Sequence, residues 1–197
     1  MAADPRLERS IAAIDAANAA DPRRVAHDGE DLPLEVLHAR RMTHWLAVVD
    51  LNADAAQQLA ARAHHLRRWE RPRGDYPEGR AGYLRWRKDA REHHAQVVAE
   101  LLAADGWDAA TVDDVCRIVR KEDLRTDPRV QAHEDALCLT FIELQAGKFL
   151  GSRDPDEARR IVEKTAAKMS ARGRGVALEA LPLPDWVAEV LRSPDGR

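Results

Sequence analysis

Residues 128–149 read PRVQAHEDALCLTFIELQAGKF, and this stretch decides the fold class. It follows an Asp127-Pro128 helix start and carries apolar or small side chains on almost every side of a helix. A helix that is apolar all round is typical of the centre of a helical protein. Glu134 and Asp135 are the exception, because a carboxylate in a packed interior needs a partner.

Helix-start signals and apolar periodicity predict further helices on both sides of residues 128–149. Asp-Pro pairs, in which an N-cap acceptor precedes a proline at the first helical position, recur at Asp4-Pro5 and Asp154-Pro155. No segment alternates like a strand, and a polar loop is expected around 21–32. The spacing predicts helices near 5–20, 33–50, 53–69, 81–104, 108–121, 128–149, 155–170 and 185–192.

The sequence therefore predicts an all-α bundle of about seven to eight helices. A length of 197 residues, with 45% hydrophobic and 33% charged residues, suits one ordinary domain that needs no disulfide or metal staple. We expect a single domain over residues 1–197, with its core at about 6–180 and a short C-terminal helix at 184–193.

The net charge and the cysteine content exclude some classes of protein. A net charge of −3 argues against a surface built wholly for nucleic acid or anionic lipid. Cys116 and Cys138 each lie in an apolar helical pattern, which is typical of core residues in a reducing compartment. No signal-peptide pattern and no apolar run of membrane-spanning length is present, so the sequence predicts a cytoplasmic protein without a membrane partner.

Two adjacent histidine pairs, His64-His65 and His93-His94, lie on two of the predicted helices. Apolar neighbours at three- and four-residue steps turn His94 inward, while either member of the first pair could lie at the core boundary. A bundle that brings His65, His94 and Asp135 together would offer a ligand set suited to a divalent transition metal. Alternatively, the histidines are core residues bonded to backbone carbonyls, since no tight spacing such as His-Glu-x-x-His occurs.

Basic residues concentrate in residues 62–91, which hold ten arginines or lysines against four acidic residues. Residues 71–80 contain two prolines and two glycines, so they form a loop, in which Gly79 and the nearby Gly82 would let backbone N–H groups approach an anion. Arginine forks bind phosphate oxygens, whereas the alternative is a set of solvated helix faces. The candidate substrate-binding residues are Arg41, Arg68, Arg71, Arg73, Tyr76, Arg80 and Lys88.

Four of the nine aromatic residues lie in this basic segment. Trp69, Trp86 and Tyr83 could stack on a base or a cation, although holding the long loop onto the bundle is the simpler role. Lys121, at the end of a predicted helix, either favours the helix C-terminus electrostatically or reaches a substrate.

The residues resemble a known family. The strings ARAHHLRRW at 61–69, DYPEGRAGYLRWR at 75–87, His94-Ala95 and Glu134-Asp135 resemble the family named domain of unknown function 4202 over about residues 6–180. The family has no assigned activity.

More distantly, the layout resembles the HD superfamily of metal-dependent phosphohydrolases, all-helical proteins whose ligands come in the order His, His-Asp, Asp. The resemblance implies that His65 is the histidine of the His-Asp pair, His94 an auxiliary histidine and Asp135 the final aspartate. Leu66 stands where the paired aspartate belongs.

The first histidine of the HD pattern stays open, since the chain offers Arg41 and His44 near that position. A missing ligand implies a weaker site, a different metal, or a pocket used for binding alone.

The leading hypothesis is thus an HD-like metal-dependent phosphohydrolase acting on a phosphorylated small molecule such as a nucleotide. It would use Mn, Zn, Co or Fe, with Glu134 as general base and Lys121 as a second catalytic residue, and no organic cofactor. The rival is a non-catalytic module that binds a phosphorylated ligand or RNA through residues 62–91. A homo-oligomer formed through an exposed helix is a third hypothesis, although the chain has no sustained heptad.

Overall fold

The computed structural model of the chain describes residues 4–152 and 154–193, and over these residues the protein is all-α apart from one short β-hairpin. The all-α prediction is confirmed. None of the described helices is both long and apolar enough to cross a membrane. The helices are α1 Pro5–Asn18, α2 Leu34–Val49, α3 Ala55–Arg62, α4 Gly79–Ala104, α5 Ala109–Arg120, α6 Pro128–Ser152, α7 Pro155–Ala166, α8 Ala171–Ala180 and α9 Asp185–Arg192, and the strands are β1 Arg24–His27 and β2 Glu30–Pro33.

The chain divides into two compact units. The first unit contains the chain up to Thr43 together with Asp54–Glu122, and the second contains His44–Ala53 and the chain from Asp123 onward. In the first unit α4 packs against α5 and α1, and α3 packs against the same two helices. In the second unit α6 and α9 each pack against α7 and α8. The assignment of residues 1–197 to a single domain stays a prediction.

Each unit has its own apolar interior. Fully buried side chains in the first unit include Ile14, Leu59, Val98, Leu102 and Ile118. Apolar side chains with less than 2% exposure in the second unit include Val130, Ala136, Leu139, Ala177, Val187 and Leu191. Burial of this kind, roughly 1.5–3 kcal/mol for each large aliphatic side chain, drives the helices together.

Asp-Pro pairs start helices as predicted. The Asp4 carboxylate accepts a hydrogen bond from the backbone N–H of Arg6 at 2.9 Å, and Asp154 accepts from the N–H groups of Asp156 and Glu157. Each aspartate thereby satisfies an N–H group that the first helical turn leaves without a partner. The helix starts at 5 and 155 are therefore confirmed.

The predicted loop at 21–32 was wrong in part, because it contains the hairpin. Asp28 and Gly29 have φ angles of 49° and 82°, so they form the two-residue turn that joins β1 to β2 in antiparallel register. An Asp-Gly pair with positive φ at both positions matches the right-handed twist of a hairpin. The strands, four residues each, are too short for alternation to show in the sequence.

The helix predicted at 53–69 ends early. α3 stops at Arg62, and Arg67 has a left-handed φ of 52°, which a continuing α-helix excludes. His64 and His65 therefore lie in a turn after the helix rather than on it. The helix α8 was not predicted; its two glycines weaken the helical pattern there.

Candidate metal centre

A carboxylate and an imidazole lie one turn apart at the start of α2. Glu35 and His38 are 2% and 7% exposed, and their i, i+3 spacing puts both on one helix face. The Asp21 carboxylate accepts a hydrogen bond from the Glu35 N–H at 3.1 Å, which fixes the beginning of the helix. The sequence thus presents two potential ligands from a rigid element.

The turn after α3 adds a third ligand. Glu35, His38 and His65 each offer one ligand atom, and these atoms lie within 4.8 Å of one another. Ligand atoms of a tetrahedral site, each about 2.1 Å from one ion, are about 3.4 Å apart, so side-chain shifts of about 1 Å would close the group. We call these three residues the Glu35–His38–His65 cluster; they could hold a metal ion.

Hydrogen bonds on both ring nitrogens define the state of His65. Arg68 Nη1 donates to His65 Nε2 at 2.5 Å, and His65 Nδ1 lies 3.2 Å from Glu35 Oε2. A guanidinium has no lone pair to offer, so Nε2 accepts and Nδ1 carries the proton that points to Glu35. Burial, followed by the Arg68 charge, lowers the pKa of His65 well below its usual value. The ring is neutral.

Glu35 also belongs to an ion-pair network with Asp21 and Arg23. Arg23 Nη2 donates to Glu35 Oε1 at 2.7 Å, and Arg23 binds both oxygens of the buried Asp21 at 2.9 Å. Two cations, Arg23 and Arg68, thus lie close to the cluster. They compensate buried carboxylates that would otherwise cost several kcal/mol each.

His38 has a polar atom without a partner. Its Nδ1 is buried and makes no hydrogen bond within the described part of the chain. Burial lowers the pKa of His38, so the ring is neutral and one nitrogen retains a lone pair. An unpaired buried nitrogen costs roughly 1–3 kcal/mol, and a bound cation is one way to recover that energy.

His94 faces inward, as predicted, and it lies beside the cluster. The residue is 2% exposed, and its ring centroid is 5.9 Å from that of His65. Its Nδ1 donates to the Leu66 carbonyl at 2.7 Å, which leaves the lone pair on Nε2. This backbone bond orients many metal-binding histidines and is equally typical of structural ones.

His94 makes the metal-free protein sensitive to acid. Burial, the largest cause, lowers its pKa from 6.5 to about 4, so the unfolded chain binds this proton first as the pH falls. The contribution of the neutral His94 ring to the free energy of unfolding is therefore complete above pH 6.5 and is lost between pH 6.5 and 4. In chelator, urea titrations should show about 2–3 kcal/mol less stability at pH 4.5 than at pH 7 from this group. His94→Gln should reduce the slope by this amount, and the part due to His38 and His65, whose pKa values burial also lowers, should remain. An equal slope in the variant would contradict the assignment.

The structure brings one predicted substrate-binding residue, Arg68, directly to the cluster. Its guanidinium stacks 4.9 Å from the centre of the Trp86 ring while it bonds His65. Burial, the largest cause, lowers the pKa of Arg68 from its usual value. The charge of Lys121 also acts on His65, so this predicted catalytic residue lies in the same neighbourhood.

Other members of the predicted set hold the loop in shape. Arg73 donates to the carbonyls of Tyr76 and Pro77 at 2.9 Å, and Trp86 Nε1 donates to the Arg71 carbonyl at 2.8 Å. The structural role considered for the aromatic residues is thus confirmed for Trp86.

The predicted function of Gly82 in anion binding has a structural alternative. A Cβ at Gly82 would lie 1.9 Å from the Pro77 carbonyl oxygen, so this glycine is required by packing. Arg71, Arg80 and Lys88 are exposed, and Arg41 is half-buried on α2.

Asp135 and Glu134 belong to the second unit, where both are buried. Asp135 accepts hydrogen bonds from the N–H of Ser170 at 2.8 Å, from the Ser170 hydroxyl and from Gln131. Burial nevertheless raises the pKa of Asp135. A Cβ at Gly173 would lie 2.6 Å from this carboxyl group, so the first turn of α8 is fitted around it. The partner expected for an interior carboxylate is found, whereas the roles of Asp135 as ligand and Glu134 as base stay predictions.

Sequence reasoning missed Glu35, His38 and Arg23. Glu-x-x-His at the start of a helix is a known ligand spacing in helical bundles, and Glu35-Val-Leu-His38 carries it in an otherwise apolar stretch. The HD pattern directed attention to Arg41 and His44 instead. His44 is exposed and lies in the second unit.

Comparison with known protein families identifies the family of the chain. No curated protein and no solved structure shows significant similarity to the chain. The profile of the family described as domain of unknown function 4202 matches residues 8–191, which is nearly the whole chain. The protein therefore belongs to the domain of unknown function 4202 family.

Proposed function

We propose that this protein is a metal-dependent phosphohydrolase, related to the HD type, whose metal centre is the Glu35–His38–His65 cluster. The observation that carries the proposal is the convergence of these three potential ligands, with an unpartnered buried nitrogen on His38, beside the guanidinium of Arg68. Two imidazoles and one carboxylate suit Mn, Fe, Co or Zn. A cation held there would lower the pKa of its bound water toward neutrality.

The chain's own groups would divide the remaining work. His94, with its lone pair on Nε2, is the next donor beside the cluster. Arg68 and Lys121 would neutralise phosphate oxygens as negative charge develops on them. The substrate class is a phosphorylated small molecule, with nucleotides as the first group to test.

The first experiment measures metal content and phosphate release on the same preparation. The full chain is stripped with chelator, reloaded separately with Mn²⁺, Fe²⁺, Co²⁺ or Zn²⁺, and screened against phosphomonoesters and nucleotides. We expect at least one bound ion per chain and phosphate release that appears only after reloading.

Absence of metal at any occupancy, together with absence of phosphate release, would remove the proposal. Phosphate or RNA binding that persists under those conditions and weakens with salt would instead favour the non-catalytic module.

The two buried free cysteines fit the proposed cytoplasmic location.

A further inference from the structure

The ring of His65 has one lone pair, and the Arg68 guanidinium donates to it. Arg68 Nη1 donates to Nε2 at 2.5 Å, so the single proton of the neutral ring is on Nδ1, facing Glu35 Oε2 at 3.2 Å. No other arrangement of one proton satisfies both contacts. Any cation that binds His65 needs the single lone pair of the neutral ring, either on Nε2 or, once the proton has moved to Nε2, on Nδ1.

Two routes for the cation lead to one result. If it binds Nε2, it takes the position of the Arg68 nitrogen. If it binds between Nδ1 and Glu35 Oε2, about 2.1 Å from each, their 3.2 Å separation gives an angle of about 100° at the ion, close to the tetrahedral angle of about 109°. The ring proton then moves to Nε2, where it would face the N–H of Arg68.

We propose that metal loading releases Arg68 from His65 and thereby creates a phosphate-binding site that the metal-free protein lacks. This inference rests on the proposed metal centre. A released guanidinium stacked on Trp86 keeps five donors and has lost its only acceptor among the described side chains, His65. The forked N–H donors of the Arg68 guanidinium match the oxygens of a phosphate. The charge of Lys121 acts on the neighbouring His65 ring and would add a second cation.

The test compares cation affinity in matched variants of the full chain. Arg68→Ala removes the competitor, while Arg87→Ala removes a nearby positive charge that acts on Arg68 without bonding His65. We expect Arg68→Ala to tighten Co²⁺ or Zn²⁺ binding by about tenfold or more relative to Arg87→Ala, the equivalent of one charge-assisted hydrogen bond. Inorganic phosphate should bind the loaded wild type more tightly than loaded Arg68→Ala, and the chelated forms of both should bind it equally weakly.

A second measurement uses the wild type alone, in case Arg68→Ala fails to fold. Nitrogen-15 NMR of the histidine rings in chelator should show His65, assigned by its loss in His65→Gln, with the proton on Nδ1 and the lone pair on Nε2. The opposite tautomer would overturn the inference.

The variant comparison also separates two failures. Cation binding that is unchanged or weakened by Arg68→Ala, or tightened equally by Arg87→Ala, overturns this inference and leaves the metal centre in place. Absence of cation binding in every form overturns the proposed function as well.

Discussion

Replacing His38 by leucine is expected to abolish tight metal binding while leaving the metal-free protein at least as stable as the wild type. Leucine has a similar volume and removes the buried Nδ1 that lacks a partner, which should raise the free energy of unfolding by about 1 kcal/mol. Loss of a direct ligand should weaken cation binding by more than the roughly 10–100-fold that loss of an outer-shell partner costs. Calorimetric metal titration and urea unfolding in chelator measure both effects.

The matched control for this change is His44→Leu. His44 lies on the same helix but is exposed and outside the cluster, so its replacement should leave cation affinity within about twofold of the wild type, well inside the 1.4 kcal/mol of a tenfold change. Wild-type cation affinity in His38→Leu would exclude His38 as a ligand. Metal-dependent phosphate release should follow affinity in both variants.

Replacing Glu35 by alanine should lower the free energy of unfolding by about 3 kcal/mol. Glu35 accepts from Arg23 at 2.7 Å and faces His65 at 3.2 Å, so its removal leaves Arg23 with Asp21 alone and the His65 ring N–H without its acceptor. Breaking a buried ion pair costs about 3–5 kcal/mol, and the lower end applies because the Arg23 side chain is 42% exposed and can bind water. Urea unfolding of the metal-free protein measures the loss.

Asp31→Ala supplies the comparison from the adjacent hairpin. Asp31 pairs with Arg24 at 2.9 Å, but the two side chains are 65% and 49% exposed. Such a surface pair contributes about 0–1 kcal/mol. Similar losses in Glu35→Ala and Asp31→Ala would show that the carboxylate of Glu35 does not organise the first unit.

The sequence predicted the helices that have strong starts and continuous apolar faces. Asp-Pro pairs fixed the beginnings of α1 and α7 because the aspartate and the proline each favour the first turn locally. The predicted helix through His64-His65 failed where Arg67 adopts a left-handed conformation. That conformation depends on tertiary contacts, such as the bond from the Arg67 N–H to the Asn18 side chain, 49 residues away.

The candidate site was predicted in part. His65 and His94 were singled out, and their rings do lie close together. The HD pattern points to Arg41 and His44 on α2 and not to Glu35 and His38. Those two residues become candidate ligands only when the turn after α3 brings His65 beside them. The partners of Asp135 could not be read from spacing, since Ser170 lies 35 residues further along the chain.

Gly82 shows that a glycine required by close backbone packing can look, in the sequence, like part of an anion-binding loop. A single methyl group at this position would meet the Pro77 carbonyl, whereas the same addition at Gly74 would meet nothing within 4 Å. In a saturation library, position 82 should reject every alternative amino acid even if selection asked only for folding. Intolerance of substitution at Gly82 would therefore show that the loop at 71–80 packs tightly against the start of α4. It would say nothing about whether an anion binds there.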